Sequence, residues 1–138
     1  VGLQAKMTFV NLPVKDLNKS IDFFSKIGFE FNPQYTDENA TCMIINDNTF
    51  VMLLVESFFQ TFTKKELSDA TKTTEVIMAL SAQSREQVDE IVNKALEAGG
   101  KASNDRFDHG FMYGWSFQDM DGHLWEVMYM DQSGGEAV

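Results

Sequence analysis

The residue best placed to do chemistry is Glu126, a single carboxylate in the apolar run Leu124-Trp125-Glu126-Val127-Met128-Tyr129-Met130. In a strand, side chains alternate between faces, so Leu124, Glu126, Met128 and Met130 share one face and Trp125, Val127 and Tyr129 the other. A carboxyl there must meet water, a partner or a ligand, because burying it alone is costly. The other reactive types are less well placed. Both histidines, His109 and His123, fall in predicted turns and read as structural. Cys42, the sole cysteine, sits beside Met43-Ile44-Ile45 and reads as a small buried thiol rather than a nucleophile. One cysteine also excludes an internal disulfide and a Cys-built zinc site. Asp119-Met120-Asp121-Gly122 has the makings of a tight turn. As a calcium loop it would need an acid near position 130, which is Met130.

The elements that must position Glu126 can be read in order. Thr8 to Leu12 is a short strand, with Pro13 expected to end its regular hydrogen bonding. Asp16 caps a helix whose apolar stripe is Leu17, Ile21, Phe24 and Ile27, and Gly28 closes it. Phe29 to Tyr35, Thr41 to Ile45 and Phe50 to Val55 then read as three antiparallel strands. Phe58 to Thr73 is a connector with a short helix, its Phe58-Phe59-Phe62 cluster packed on the body or at a subunit contact. The same order recurs: strand Glu75 to Leu80, and a helix capped by Ser84 with Gln87 three residues on, carrying Val88, Ile91, Val92, Ala95 and Leu96. Gly99-Gly100 ends that helix. Strands follow at Lys101 to Arg106, Met112 to Gln118 and Leu124 to Met130, with His109-Gly110 bounding the middle one. The fold class is therefore α+β: two tandem βαβββ modules forming a curved mixed sheet around a cavity, helices on the outer face. The modules span 1–57 and 74–131, with the connector at 58–73 and a flexible tail at 132–138.

Composition narrows the partners. A formal net charge of −10 disfavours nucleic acid and anionic membrane surfaces, both of which attract basic footprints. The longest apolar run, Phe50 to Val55, falls far short of the roughly 20 residues a membrane helix needs. The first residues, Val-Gly-Leu-Gln-Ala-Lys, lack the apolar stretch of a signal peptide. A cytoplasmic location is expected.

Two phrases carry a resemblance. Leu12-Pro13-Val14-Lys15-Asp16-Leu17-Asn18-Lys19-Ser20-Ile21-Asp22-Phe23-Phe24 resembles the opening of the vicinal oxygen chelate superfamily. Phe117-Gln118-Asp119-Met120-Asp121-Gly122-His123-Leu124-Trp125-Glu126-Val127 resembles its ending, an aspartate-containing turn and then a strand with a glutamate. The superfamily includes glyoxalase I, bleomycin-resistance proteins, fosfomycin-resistance enzymes and extradiol dioxygenases, and the likeness spans roughly residues 7–131. Met120 stands where the family often has proline.

The resemblance implies metal ligands on the first and last strands of each module, all facing one cavity. Carried over singly, those positions are Phe9, Leu53, Ile77 and Glu126, and only Glu126 is a donor. One carboxylate does not hold a catalytic divalent ion against water, so no metal ligands and no cofactor are expected at the family position. The implied cavity is lined by Phe9, Asn11, Leu53, Ile77, Ala79, Glu126 and Met128. Tyr113 and Trp115 are further ligand-binding candidates whose face the pattern leaves open. Three readings follow. The first is a metal-free protein binding a small apolar or aromatic molecule, with Glu126 pairing a ligand donor or cation. The second is a lyase or isomerase using Glu126 as general acid or base. The third is a metal-dependent glyoxalase or dioxygenase with unusual ligands such as His109. A homodimer is expected in each.

Overall fold

The computed structural model describes residues 2–131, so the expected tail at 132–138 lies outside the described residues. The chain divides into two compact units, Val1–Leu67 and Ser68–Val138.

In the first unit β1 (Thr8–Val14) leads into α1 (Leu17–Ile27), then β2 (Glu30–Asn32), β3 (Ala40–Asn46), β4 (Thr49–Val55) and the short α2 (Glu56–Phe59). The strands form a mixed sheet in the order β1-β4-β3-β2, in which β1 pairs with β4 in parallel. Asp16 caps α1 by accepting the Lys19 backbone N–H at 3.1 Å. Gly28 ends that helix at φ 124°, a conformation that costs glycine nothing. Strand β1 runs on through Pro13, where the sequence pattern places its end. It lies at the sheet edge, so a residue without an N–H is tolerated on the side that has no neighbour. Strand β2 is shorter than its apolar pattern suggests. Pro33 opens a tight helical turn there, and the Asn32 side chain caps it by accepting the Gln34 N–H at 3.0 Å.

The second unit repeats the plan. Its elements are β5 (Ile77–Ser81), α3 (Arg85–Glu97), β6 (Lys101–Ala102), β7 (Phe107–Asp108), β8 (Met112–Gln118) and β9 (Leu124–Met130). The sheet order is β5-β9-β8-β6, with β7 also on β8, and β5 again runs parallel to the last strand. Ser84 accepts the Gln87 N–H at 3.0 Å, while the Gln87 side chain reaches back to the Gln83 N–H at 2.6 Å. This capping box is offset by one residue from its usual form. Of the strand expected over Lys101 to Arg106 only Lys101–Ala102 forms; a loop follows, and β7 begins beyond the expected range. Among the described residues, strands pair only within their own unit, giving two sheets on one βαβββ theme.

The helix side of each sheet carries most of its core. In the first unit Leu12, Val14, Val51, Leu53, Thr41 and Met43 are buried on the same face, and α1 adds Phe23, Phe24 and Ile27. In the second, Phe117, Trp125 and Val127 meet Val88, Val92 and Ala95 of α3. The Phe117 and Trp125 rings lie parallel, centroids 6.3 Å apart. Cys42 is buried as well, and burial pushes its thiol up.

The turn before β9 fixes where that strand begins. Asp119 is buried, and its Oδ1 accepts the N–H groups of Asp121 at 2.9 Å and His123 at 3.0 Å. Its Oδ2 accepts the Trp125 indole N–H at 3.0 Å. Burial pushes this carboxyl up, against the opposing pull of His123 and the indole bond. Gly122 sits at φ 91°, and a Cβ there would lie 2.8 Å from the Ala70 carbonyl oxygen. Two conditions therefore demand glycine: backbone conformation and the connector backbone packed against the turn. Gly122→Ala should lose at least about 1 kcal/mol from its positive φ alone. Asp119→Asn sets an amide N–H₂ against a donor and should lose about 1–3 kcal/mol. Urea unfolding measures both, and wild-type midpoints for the two variants would remove the turn from this role.

Candidate functional site

Face assignment in the second sheet follows from register. Ala79 of β5, Glu126 of β9 and Ser116 of β8 form one row across the strands. Ser81, Met128 and Gly114 form the next row, and Ile77, Leu124 and Gln118 the one before. These rows lie on the face away from α3, and Ile77 is 50% exposed on it. Glu126 is half-buried, and its carboxylate has no hydrogen-bond or ion-pair partner among the described residues. Its row neighbours do not compete for it. Ala79 is apolar, and the Ser116 hydroxyl is taken up by Asn104, accepting its N–H at 2.9 Å and donating to its carbonyl at 3.2 Å.

A residue that the sequence pattern does not single out borders this face. Phe107 of β7 pairs with Gly114 of β8 and so shares the Glu126 face. A Cβ on Gly114 would collide with Phe107 Cζ and sit 3.1 Å from Met128 Cγ. The ring therefore occupies the space a side chain would fill. A glycine inside the aromatic strand Met112-Tyr113-Gly114-Trp115 is the signal that could have found it, since strand glycines mark close approach by another group. His109 packs against Phe107, ring centroids 5.2 Å apart.

The segment carrying Phe107 is tied to α3. Arg85 donates to Asp108 at 2.8 Å and to the Gly110 carbonyl at 2.7 Å. The Arg85 bond, with help from the Gly110 N–H, holds the Asp108 carboxyl below its usual range. On the same side Tyr113 donates its hydroxyl to Asp89 at 2.6 Å, a bond that pushes the phenol up. The Arg106 guanidinium lies 4.2 Å from the centre of the Trp115 ring and 3.6 Å from the Asp89 carboxylate.

Those contacts correct the expectation for Tyr113 and Trp115. Both point to the α3 side, opposite Glu126, and serve the packing of helix on sheet. Leu53 is corrected in the same way. It pairs with Leu12 on the α1 side of the first sheet and is 0% exposed. Phe9 and Asn11 lie on that sheet's other face, with Phe9 52% exposed and stacked on Phe50, centroids 5.2 Å apart. By the same register, the β4 residues on this face are Phe50, Met52 and Leu54. Of the expected set, the second sheet brings Ile77, Ala79, Glu126 and Met128 to one face.

The profile of the Glyoxalase/Bleomycin resistance protein/Dioxygenase superfamily matches residues 6–127. The chain belongs to that superfamily. Among solved structures, hypothetical protein SA1046 from S. aureus is 34% identical, with a TM-score of 0.77 over 93% of this chain and 95% of that one. A glyoxalase-related enzyme from Fulvimarina pelagi shares the fold at 17% identity, with a TM-score of 0.78 over 92% of this chain and 88% of its own. The fosfomycin resistance protein FosX from Listeria monocytogenes does so at 22% identity, with a TM-score of 0.67 and 92% of each chain covered. No curated protein matches the sequence. Among the described residues, no helix is long and apolar enough to cross a membrane.

Within the superfamily this chain's donor set is thin. Among the described residues no group of three or more His, Cys, Asp or Glu side chains comes together. The strand positions that the resemblance assigns to ligands hold Phe9 and Ile77, and both β4 residues flanking Leu53, Met52 and Leu54, are apolar. Such residues do not fit a divalent ion, which takes at least three protein donors in sites of this kind.

The Asp108 carboxyl gives the Phe107 segment a defined pH response. Its folded-state value is depressed, so the stabilisation is complete above the ordinary aspartate value of ~3.9 and is lost only as pH falls through the lower, folded value. NMR shifts of Phe107 and Gly110 in wild type should titrate below the ordinary aspartate value of ~3.9. In Arg85→Ala the Asp108 titration should move up to the ordinary range. An unmoved titration would show that Arg85 does not hold the segment.

Proposed function

We propose that this protein binds a small aromatic or apolar molecule, without a divalent metal, on the sheet face around Glu126. The observation that carries the reading is a carboxylate without a partner among the described residues, on a face that also carries Ile77, Ala79, Leu124 and Met128. Such a surface supplies apolar area together with one group that fixes orientation, the usual make-up of a small-molecule site. Glu126 accepts a hydrogen bond from a ligand N–H or pairs with a single positive charge, and Met128 and Ile77 cover the ring. Phe107, bordering the same face, adds aromatic contact.

A second reading rests on the same free carboxylate. Glu126 can take the proton from a carbon next to a carbonyl and return it to another carbon, an isomerisation needing no further reactant. Deuterium exchange into a β,γ-unsaturated ketone, whose double bond migrates as the proton moves from the α to the γ carbon, would favour this over binding alone if it disappears in Glu126→Gln.

Benzamidine, one ring with one amidinium, is a direct probe. NMR titration should show saturable binding that EDTA leaves unchanged. Glu126→Gln should weaken it about 10-fold or more, as expected for losing a charge-assisted hydrogen bond. Equal affinity in Glu126→Gln and wild type would reject the reading.

A further inference from the structure

We propose that a bulge in the edge strand between β6 and β7 keeps Glu126 free of any internal partner, with Ser116 as the positioning residue through which it acts. The inference rests on the binding reading above for its purpose, and adds what keeps that carboxylate available. Three observations carry it. Ser116 of β8 lies directly opposite Glu126, and such cross-strand pairs have Cβ atoms about 4.5–5.5 Å apart, within reach of a side-chain hydrogen bond. The Ser116 hydroxyl bonds instead to Asn104, accepting its N–H at 2.9 Å and donating to its carbonyl at 3.2 Å. Asn104 reaches it because the edge strand is overlong. From Ala102 to Phe107 is five residue steps, while their partners Phe117 and Gly114 are three apart, which leaves two residues extra.

Ser116 is buried, and a buried hydroxyl needs a hydrogen-bond partner. Beside a regular edge strand its strongest acceptor would be the Glu126 carboxylate, because bonds to a charged oxygen are roughly twice as strong as neutral ones. The bulge supplies a different partner. It takes the Asn104 N–H and C=O out of the ladder, where they need bonds of their own, and one hydroxyl satisfies both. Bulges at sheet edges re-aim side chains in this way. A ligand cation or N–H donor then meets a carboxylate with nothing to displace.

The experiment removes Asn104 and Asp105 together, which restores equal spacing on the two strands. Its readouts are the carbon resonance of the Glu126 carboxyl at neutral pH and the benzamidine dissociation constant by NMR titration, with melting temperatures as the folding control. The freed hydroxyl should shift the resonance and weaken benzamidine about 10-fold, the scale of a hydrogen bond to a charged group. Ser116→Ala added to the deletion should return both to their wild-type values, which loss of the Asp105 charge alone does not allow. A folded deletion variant with resonance and affinity unmoved overturns the role of the bulge and leaves the binding reading standing. A resonance that responds as expected, with no benzamidine binding to wild type, upholds the diversion of Ser116 and overturns the binding reading. Ser116→Ala in the full chain tests the same point should the deletion not fold. The Asn104 N–H should then exchange faster with deuterium while the Glu126 resonance stays in place. A carboxyl that moves while Asn104 stays protected means that the hydroxyl serves Glu126, and the inference falls.

Discussion

A β-sheet has two faces, and the long helix of each unit, α1 or α3, packs on one of them. Nearly every assignment in this protein follows from that constraint. In the second unit α3 takes the face with Phe117, Trp125 and Val127, which are fully buried. The aromatic side chains of β8 and β9 belong there because apolar area removed from water gains ~25 cal/mol per Å², and these are the largest side chains available. What remains for the other face is Glu126 and its neighbours. The carboxylate is thus not a defect in a core strand. It stands, half-buried, on the face away from α3.

The turn at Asp119 makes that division stable. Because β9 pairs with both β5 and β8, a slip of one residue would send Glu126 under α3 and turn Trp125 outward. Asp119 guards against it by binding the indole of Trp125 and the backbone of the turn with one carboxylate. Gly122 lets the connector backbone lie against the same turn. The acidic turn that resembles a family signature is therefore a mechanical part. It sets strand register, and register decides which side chains lie on the face away from α3.

Much of this was legible in the sequence. Asp16, Ser84 and Gly28 announce helix ends through capping chemistry, and the bounds of β8 and β9 match their apolar patterns. The failures share one cause. Alternation says which residues share a face but not which face a helix will cover, so Tyr113 and Trp115 could not be assigned until Asp89 and Arg106 were seen beside them. Leu53 went wrong because β4 is apolar at nearly every position, which leaves its parity unmarked until β1 pairs with it. Pro13 misled because its cost depends on whether the strand is central or at the edge, a tertiary fact. Phe107 was missed because its partner is a glycine, and the cue lay in the absent side chain.

Charge balance links the thin donor set to the proposed ligand. A divalent ion beside Glu126 alone would keep one uncompensated positive charge against an apolar surface, which desolvation penalises. A monocation is neutralised by the one carboxylate, and its remaining surface can be covered by Ile77, Met128 and Phe107. Phe9 and Ile77, at positions where the resemblance implies metal ligands, therefore do more than leave out an ion. On the binding reading they turn the scaffold from a surface that coordinates into one that packs. The side chains of Phe9 and Ile77 lie on the faces away from α1 and α3, so helix cover and the Asp119 turn do not depend on them.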